Sequence, residues 1–342
     1  MNIHQMNKNE LTELIKLNSE YTDKSIMDSA LSKKQEHYGN TVFARGLIEI
    51  SNICKNNCYY CGIRADNKNV TRYRLTKEEI LKCCETGNEL GFQTFVLQGG
   101  EDLYYTDKVM CDIISSIKEL YPDCAVTLSI GEKSKETYLA YKKAGADRFL
   151  LRHETADSCH YQKLHPNNLS LETRKKCLYD LKDCGFQVGA GFMVGSPFQT
   201  FENLADDLLF LKELEPQMVG IGPFLPHHET PFANYNKGSY SLTITMLSLT
   251  RLLLPKVLLP ATTALATLNP KRGRIDGFLA GANVVMPNLS PAENRKDYSL
   301  YDDKLSTGNE AAQSIKLLEE EIKKAGFILD MSRGDNVDFK KG

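Results

Sequence analysis

The sequence predicts an α/β fold: a (β/α)8 barrel of the TIM type, with helices ahead of it and an extension behind it. Three observations predict it. Eight apolar runs of strand length alternate with helix-patterned stretches. The alternation occupies roughly 245 residues, the usual length of that barrel. Polar residues gather at the C-terminal ends of the runs, the rim where such barrels carry their chemistry. A doubly wound open sheet is the alternative, but it usually has fewer units.

Residues 1–45 read as a polar helical segment, with apolar positions at Leu11, Leu14, Ile15 and Leu17. The barrel is expected over 46–290. "GLIEIS" (46–51) is strand one. "LTKEEILKCCETGNELG" is a helix that starts at a T-x-x-E capping box, Thr76 and Glu79, and stops at Gly91. "TFVLQ" (94–98) is strand two, and the helix around 107–119 sets Val109, Met110, Ile113, Ile114 and Ile117 on one face. "AVTLSIG" (125–131) is strand three, followed by a helix capped near Ser134. "DRFLLRHE" (147–154) is strand four, and "LETRKKCLYDLKDCG" is a helix ending at Gly185. "FQVGAGFMVG" (186–195) is strand five, with a leucine-rich helix over 203–214. "QMVGIGP" (217–223) is strand six, and the helix 242–254 stops before Pro255. "LLPATTA" (258–264) and "GANVVM" (281–286) are strands seven and eight. Residues 291–342 are expected to form an extension closing the barrel: polar, then helical over 310–325, then irregular.

Composition narrows the class. The chain has 342 residues and a formal net charge of −2, which points away from nucleic acid and anionic membranes. The most apolar run, "LLLPKVLLPA", is short and carries a lysine and two prolines, so no membrane span is expected. "MNIHQMNKNE" lacks the apolar core of a signal peptide, and a cytoplasmic location is expected. Of ten cysteines, Cys83, Cys84, Cys111, Cys124, Cys159, Cys177 and Cys184 have no regular spacing and read as small buried hydrophobes.

The other three stand apart. "SNICKNNCYYCGI" (51–63) sets Cys54, Cys58 and Cys61 at C-x3-C-x2-C spacing, just after strand one. Thiolates suit zinc or iron–sulfur clusters. A structural zinc site takes four protein ligands, and no histidine or further cysteine is near. The spacing suits a [4Fe–4S] cluster held at three irons, the fourth open to a small molecule. A zinc-structured module is the other reading of the same thiols. The polar strand ends face this loop: Ser51, Asn52, Gln98, Ser129, Arg152, Glu154, Met193, His227, His228, Thr262, Thr263 and Asn288.

"CKNNCYYC" resembles the C-x3-C-x-aromatic-C signature of the radical S-adenosylmethionine (SAM) enzymes, with Tyr60 at the aromatic position. The segments "VLQGGED", "AGADRFLLRHETA", "MVGIGPFLPHHETP", "PATTALATL" and "GANVVMPN" resemble the HydE branch of [FeFe]-hydrogenase maturases, grouped with biotin synthase and methylornithine synthase. The likeness runs from about residue 40 to 300. It implies one [4Fe–4S] cluster held by Cys54, Cys58 and Cys61, and SAM on the fourth iron. It implies that SAM is cleaved reductively to methionine and a 5′-deoxyadenosyl radical. It also implies a sulfur-containing substrate, an iron–cysteine carbonyl/cyanide precursor of the hydrogenase centre. The implied partners are ferredoxin or flavodoxin as reductant, with HydG and HydF as fellow maturases.

The resemblance assigns roles residue by residue. Tyr60 would pack beside the cluster and SAM. Glu154 would accept from SAM's amino acid or ribose, although an ion pair with Arg152 or Arg174 is the plainer reading. Arg174 would fork onto SAM's carboxylate, against a solvated helix arginine. Ser129 would hydrogen-bond SAM or substrate, against a satisfied strand-end hydroxyl, and Met193 would lie near the adenosine, against core filler. Gln98, Thr127, Arg152, Thr262 and Thr263 would line the interior around substrate, because a polar ring there costs stability unless paired. Tyr298 and Tyr301 in "DYSLY" would close the cavity; two exposed loop tyrosines are the alternative. "LQGG" (97–100) reads as a backbone turn against SAM's methionine end rather than a phosphate cradle. His227 and His228 read as loop histidines beside the opening, not as metal ligands.

Some relatives carry a second cluster on cysteines near the C-terminus; "YDDKLSTGNEAAQSIKLLEEE" has none, so none is expected there. The rival within the superfamily is a methylornithine-synthase-like mutase acting on an amino acid. The rival outside it is an electron-transfer protein, which would want four cysteine ligands.

Overall fold

The computed structural model describes residues 3–305 and 311–339. Two helices lead, α1 (Lys8–Leu17) and α2 (Lys24–Tyr38). They run into a strand the sequence reading absorbed into the helical segment: β1 (Thr41–Ala44), separated by Arg45 from β2 (Gly46–Ser51).

The alternation then follows the predicted order. The strands are β3 (Thr94–Gly99), β4 (Ala125–Ser129), β5 (Arg148–Leu150), β6 (Gln187–Val194) and β7 (Met218–Pro223). Between them lie α3 (Lys77–Glu89), α4 (Asp107–Leu120), α5 (Lys135–Ala144), α6 (Ser158–Leu164), α7 (Leu171–Asp183), α8 (Phe201–Leu214) and α9 (Tyr240–Leu253). The caps explain the helix starts. Thr76 and Glu79 form the expected capping box, and Ser134 caps α5.

β2 to β7 form one parallel sheet in sequence order. The ring closes through thinner contacts. Leu258 pairs with Met218, Pro260 with Val284, β8 (Val284–Val285) with β1, and Leu47 with Asn288. Strand seven is therefore not a strand: "LLPATTA" contributes two bridges and then turns into α10 (Thr263–Leu268). Pro260 has no N–H for a ladder, and Thr262 caps the helix by accepting the Leu265 N–H. After α11 (Gly273–Leu279) and β8 come α12 (Ala292–Arg295) and α13 (Ile315–Lys324). The tail expected to be irregular adds β9 (Ile328–Asp330), parallel to β1.

Apolar faces of the helices and outward faces of the strands form one continuous core, with Ile48, Ile50, Phe95, Leu97, Phe149 and Leu211 fully enclosed. Cys83, Cys84, Cys124, Cys177 and Cys184 are buried as expected, whereas Cys111 is half-buried and Cys159 exposed. No described helix is long and apolar enough to cross a membrane. The end opposite the mouth is shut by the tail: Asp335 accepts from Arg148 at 2.5 Å and Gln187 at 2.6 Å, and Arg333 reaches Asp147 at 2.8 Å.

Candidate active site at the barrel mouth

Residues 52–74 connect β2 toward α3 and carry the three thiols. Side chains hold this loop where regular structure does not. Arg72 donates to the carbonyls of Asn52, Ile63, Arg64 and Asn67 at 2.5–2.9 Å. Asn52 donates to the Thr71 and Asp297 carbonyls and accepts the Tyr73 N–H. Ser51 donates to Asp102 at 2.7 Å, and Arg74 forks onto the same carboxylate at 2.7 and 2.8 Å. Sequence pattern does not single out Arg72 or Asp102, because the partners of Arg72 are carbonyls and those of Asp102 are a strand-end hydroxyl and an arginine 28 residues away.

Cys54, Cys58 and Cys61 line a cavity of about 310 Å³ at the mouth. Burial pushes the Cys61 thiol up to about 12, and proximity to Cys54 adds to it. Burial raises Cys58 further, with Cys61 again contributing, and raises Cys54. Cys58 and Cys61 thus each feel a neighbouring thiol, which places the three sulfurs close together at the mouth. Gly100 brings the next strand's loop against them. A Cβ there would stand 2.3 Å from the Ile53 carbonyl oxygen and 2.8 Å from the Cys54 Cβ. The turn at "LQGG" therefore has glycine because the thiol loop passes too close for anything larger.

The opposite wall is charged. Arg152 Nη2 lies 3.0 Å from Glu154 Oε2, and Arg174 Nε lies 2.6 Å from Glu132 Oε1. Burial works against the Arg174 charge, but Glu132, Tyr161, Glu101 and Tyr60 together outweigh it, and the guanidinium is held firmly protonated. These same four atoms are buried without a hydrogen bond of good geometry. Buried polar groups are normally hydrogen-bonded. A carboxylate and a guanidinium on the wall of the cavity that three thiols line fit a ligand carrying both an ammonium and a carboxylate.

Tyr60 donates to His165 Nε2 at 3.2 Å, because His165 Nδ1 donates to the Tyr161 carbonyl at 3.0 Å. Burial takes His165 down to about 3, so it stays a neutral acceptor. Met193 lines the cavity and also packs with Leu164, Phe224 and Phe232, so both readings of it hold. Tyr298 is buried over the cavity within 3.4 Å of Gln98 Nε2, and Tyr301 also lines it. Lys304 anchors this covering segment, donating to fully buried Glu49 at 2.5 Å and to the Tyr298 carbonyl at 2.9 Å.

The structure gathers Ser129, Gln98, Arg152 and Thr262 around the same cavity. Two predicted residues are elsewhere. Thr127 shares a face of β4 with Ser129 but sits one layer lower, on a void of about 30 Å³ with Arg45 and Met218. Thr263 faces a separate recess with Arg274 and Met286, because residues 262–263 begin a helix and adjacent helical side chains diverge. Glu101 is a cavity residue the sequence reading passed over; it meets Lys55 at 3.2 Å and accepts the Glu132 N–H at 3.2 Å. His227, His228 and Asp302 bring ligand atoms within 4.8 Å of one another. His227 Nδ1, however, accepts the Glu229 N–H at 3.1 Å. That leaves the proton on Nε2 and no lone pair facing Asp302.

Known proteins resemble the chain over most of its length. The Radical SAM superfamily model matches residues 48–211. The chain is 45% identical over 295 residues to the [FeFe] hydrogenase maturase subunit HydE of Thermotoga maritima, covering 86% of this chain and 84% of that one. It is 29% identical over 314 residues to 3-methylornithine synthase of Methanosarcina barkeri, covering 91% and 88%. The crystal structure of methylornithine synthase superposes with a TM-score of 0.81 at 27% identity, over 95% and 94% of the two chains. That of the maturase HydG from Carboxydothermus hydrogenoformans gives 0.80 at 20%, over 95% and 76%, a likeness of fold.

Proposed function

The chain belongs to the radical SAM superfamily, in its HydE branch, and we propose that it acts on a sulfur-containing iron–cysteine carbonyl/cyanide complex during assembly of the [FeFe]-hydrogenase centre. It is a radical SAM enzyme whose cofactors are a [4Fe–4S] cluster and SAM. When bound, the pair supplies one-electron cleavage of SAM to methionine and a 5′-deoxyadenosyl radical.

The chain's own residues do the rest. Cys54, Cys58 and Cys61 hold the cluster. Arg174 forks onto the SAM carboxylate, Glu154 takes its ammonium or ribose hydroxyls, and Tyr60, Ser129 and Met193 pack around it. Gln98, Arg152 and Thr262 orient the substrate deeper in the barrel, with Thr127 a layer below. Tyr298 and Tyr301 cover it and exclude water. The observation that carries this reading is the charged wall beside the three thiols: Glu154, Arg152 and Arg174 line their cavity, and Glu132 backs Arg174 at 2.6 Å. Ferredoxin or flavodoxin supplies the electron, and HydG and HydF act before and after in the same maturation. Thr263, turned away from the cavity, takes no part in this proposal.

The deciding experiment supplies the reconstituted enzyme with reductant and SAM, and either the iron–cysteine complex or lysine. 5′-Deoxyadenosine formed faster with the iron complex supports the proposal. Methylornithine formed from lysine overturns it in favour of the mutase.

A further inference from the structure

Glu154 sits in a backbone conformation that ordinary side chains avoid. Its φ is 67°, in the left-handed region. Its N–H donates to the Gly191 carbonyl at 3.0 Å, and its carbonyl accepts the Met193 N–H at 3.2 Å. Position 191 is itself held to glycine by β7 on its other side: a Cβ there would stand 2.0 Å from the Gly220 carbonyl oxygen.

The other restraint comes from α8. His153 is fully buried, its ring edge-on to Phe210 at 4.9 Å and tilted against Phe192 at 6.0 Å. Its Nδ1 accepts the Gly191 N–H at 3.3 Å, which fixes the ring proton on Nε2. Nε2 donates to Asp207 Oδ1 at 3.1 Å, and the same oxygen accepts the Ala156 N–H at 2.6 Å. One carboxyl oxygen therefore grips the chain on both sides of Glu154.

We propose that Asp207 is a positioning residue for SAM: through His153 and Ala156 it holds Glu154 in the left-handed turn that aims its carboxylate into the cavity. The inference rests on the reading of Glu154 as a SAM ligand. Asp207 serves both contacts as an acceptor through Oδ1. It is fully buried, its Oδ2 has no hydrogen bond, and burial raises its pKa while lowering that of His153. Oδ1 only accepts in both contacts, so a carboxamide oxygen can take its place.

The test measures SAM dissociation constants and iron content on the anaerobically reconstituted enzyme. Hydrogen exchange over residues 152–156 is followed on the cofactor-free chain. Asp207→Asn should bind SAM within about threefold of the parent. Asp207→Leu, and His153→Phe, which keeps the ring and removes both hydrogen bonds, should weaken SAM at least tenfold at unchanged iron content and speed exchange at Ala156. In a Glu154→Gln background these two substitutions should add little, since coupled residues are not additive. Asp207→Asn weakening SAM tenfold, or the leucine and phenylalanine variants binding normally, would overturn the proposal. A full further loss in the Glu154→Gln background would also overturn it, as would loss of cluster in step with SAM affinity. Should the leucine and phenylalanine variants fail to fold, the asparagine result decides. If Glu154→Gln itself leaves SAM binding unchanged, the ligand reading of Glu154 fails instead.

Discussion

Gly100→Ala is the sharpest perturbation the structure offers. The added methyl would stand 2.3 Å from the Ile53 carbonyl oxygen, and ordinary contact begins at 3.4 Å. The obstacle is backbone, so no rotamer relieves it, and the loop must retreat by roughly 1 Å, a misplacement that costs about 100-fold where reacting groups are positioned. The next nearest atom is the Cys54 Cβ at 2.8 Å, so the displaced group is a proposed cluster ligand. Metal sites tolerate errors of only about 0.2 Å in ligand distance. The expected result is a chain that folds, since Gly100 is only half-buried and has no positive φ, but takes up less iron and sulfide on reconstitution. 5′-Deoxyadenosine formation should fall about 100-fold. Gly220→Ala is the control: its Cβ meets nothing nearer than the Arg152 side chain at 3.8 Å, and cluster content should be normal. A Gly100→Ala enzyme with full iron and parental SAM cleavage would refute the argument that close approach, rather than turn chemistry, demands glycine here.

Three further outcomes follow from the same wall and its cover. Arg174→Met should weaken SAM by roughly 10- to 100-fold, the worth of a charge-assisted hydrogen bond, and Arg174→Lys should recover only part of it, both read by equilibrium dialysis. Lys304→Met strands fully buried Glu49 and should destabilise the covering segment by about 3 kcal/mol; adding Glu49→Gln should restore most of the loss, seen as slowed hydrogen exchange over 298–304. His228 has its pKa raised by the hydrogen bond to Asp302, so that contact is at full strength below the ordinary histidine value and is lost as pH rises through the higher folded value. Protection at 300–302, taken relative to the intrinsic exchange rate at each pH, should fall as pH rises above the ordinary histidine value in the parent and stay level in His228→Asn.

Local pattern carried most of the fold. Capping boxes, apolar periodicity and glycine stops located α3, α4, α5, α7, α8 and α9 within a few residues, because those signals lie inside the elements themselves. Failures came where the deciding partner was distant. β1 reads as the end of a helical segment until β8 and β9 flank it. "LLPATTA" has strand composition, yet Pro260 and the Thr262 cap turn it into a helix, which moved Thr263 away from the cavity. The thiols, Glu154 and Arg174 were legible from motifs, whereas Glu132, Glu49 and Lys304 were not, since each gains meaning only from a charge more than forty residues away in the chain.

Those distant pairings bear on how the proposed site takes its ligand. Without SAM, the wall is two ion pairs, Arg152 with Glu154 and Arg174 with Glu132, each balanced in a poorly solvated cavity. An unpaired charge there would be costly. SAM's methionine end is zwitterionic, so it can divide between the pairs, its ammonium going to an acid and its carboxylate to a guanidinium, without changing the net charge of the wall. Desolvation of the protein's charges is then largely met on folding rather than on binding. The same logic predicts asymmetry between single and paired neutralisation. Glu132→Gln alone leaves the Arg174 guanidinium unopposed, and should tighten binding of a carboxylate such as methionine while exposing the fold to a buried cation. Glu132→Gln with Arg174→Met removes the pair cleanly and should keep the thermal midpoint while losing the carboxylate grip. Equal methionine affinity in the parent and the Glu132→Gln variant would mean the wall is a structural network and that SAM is held elsewhere.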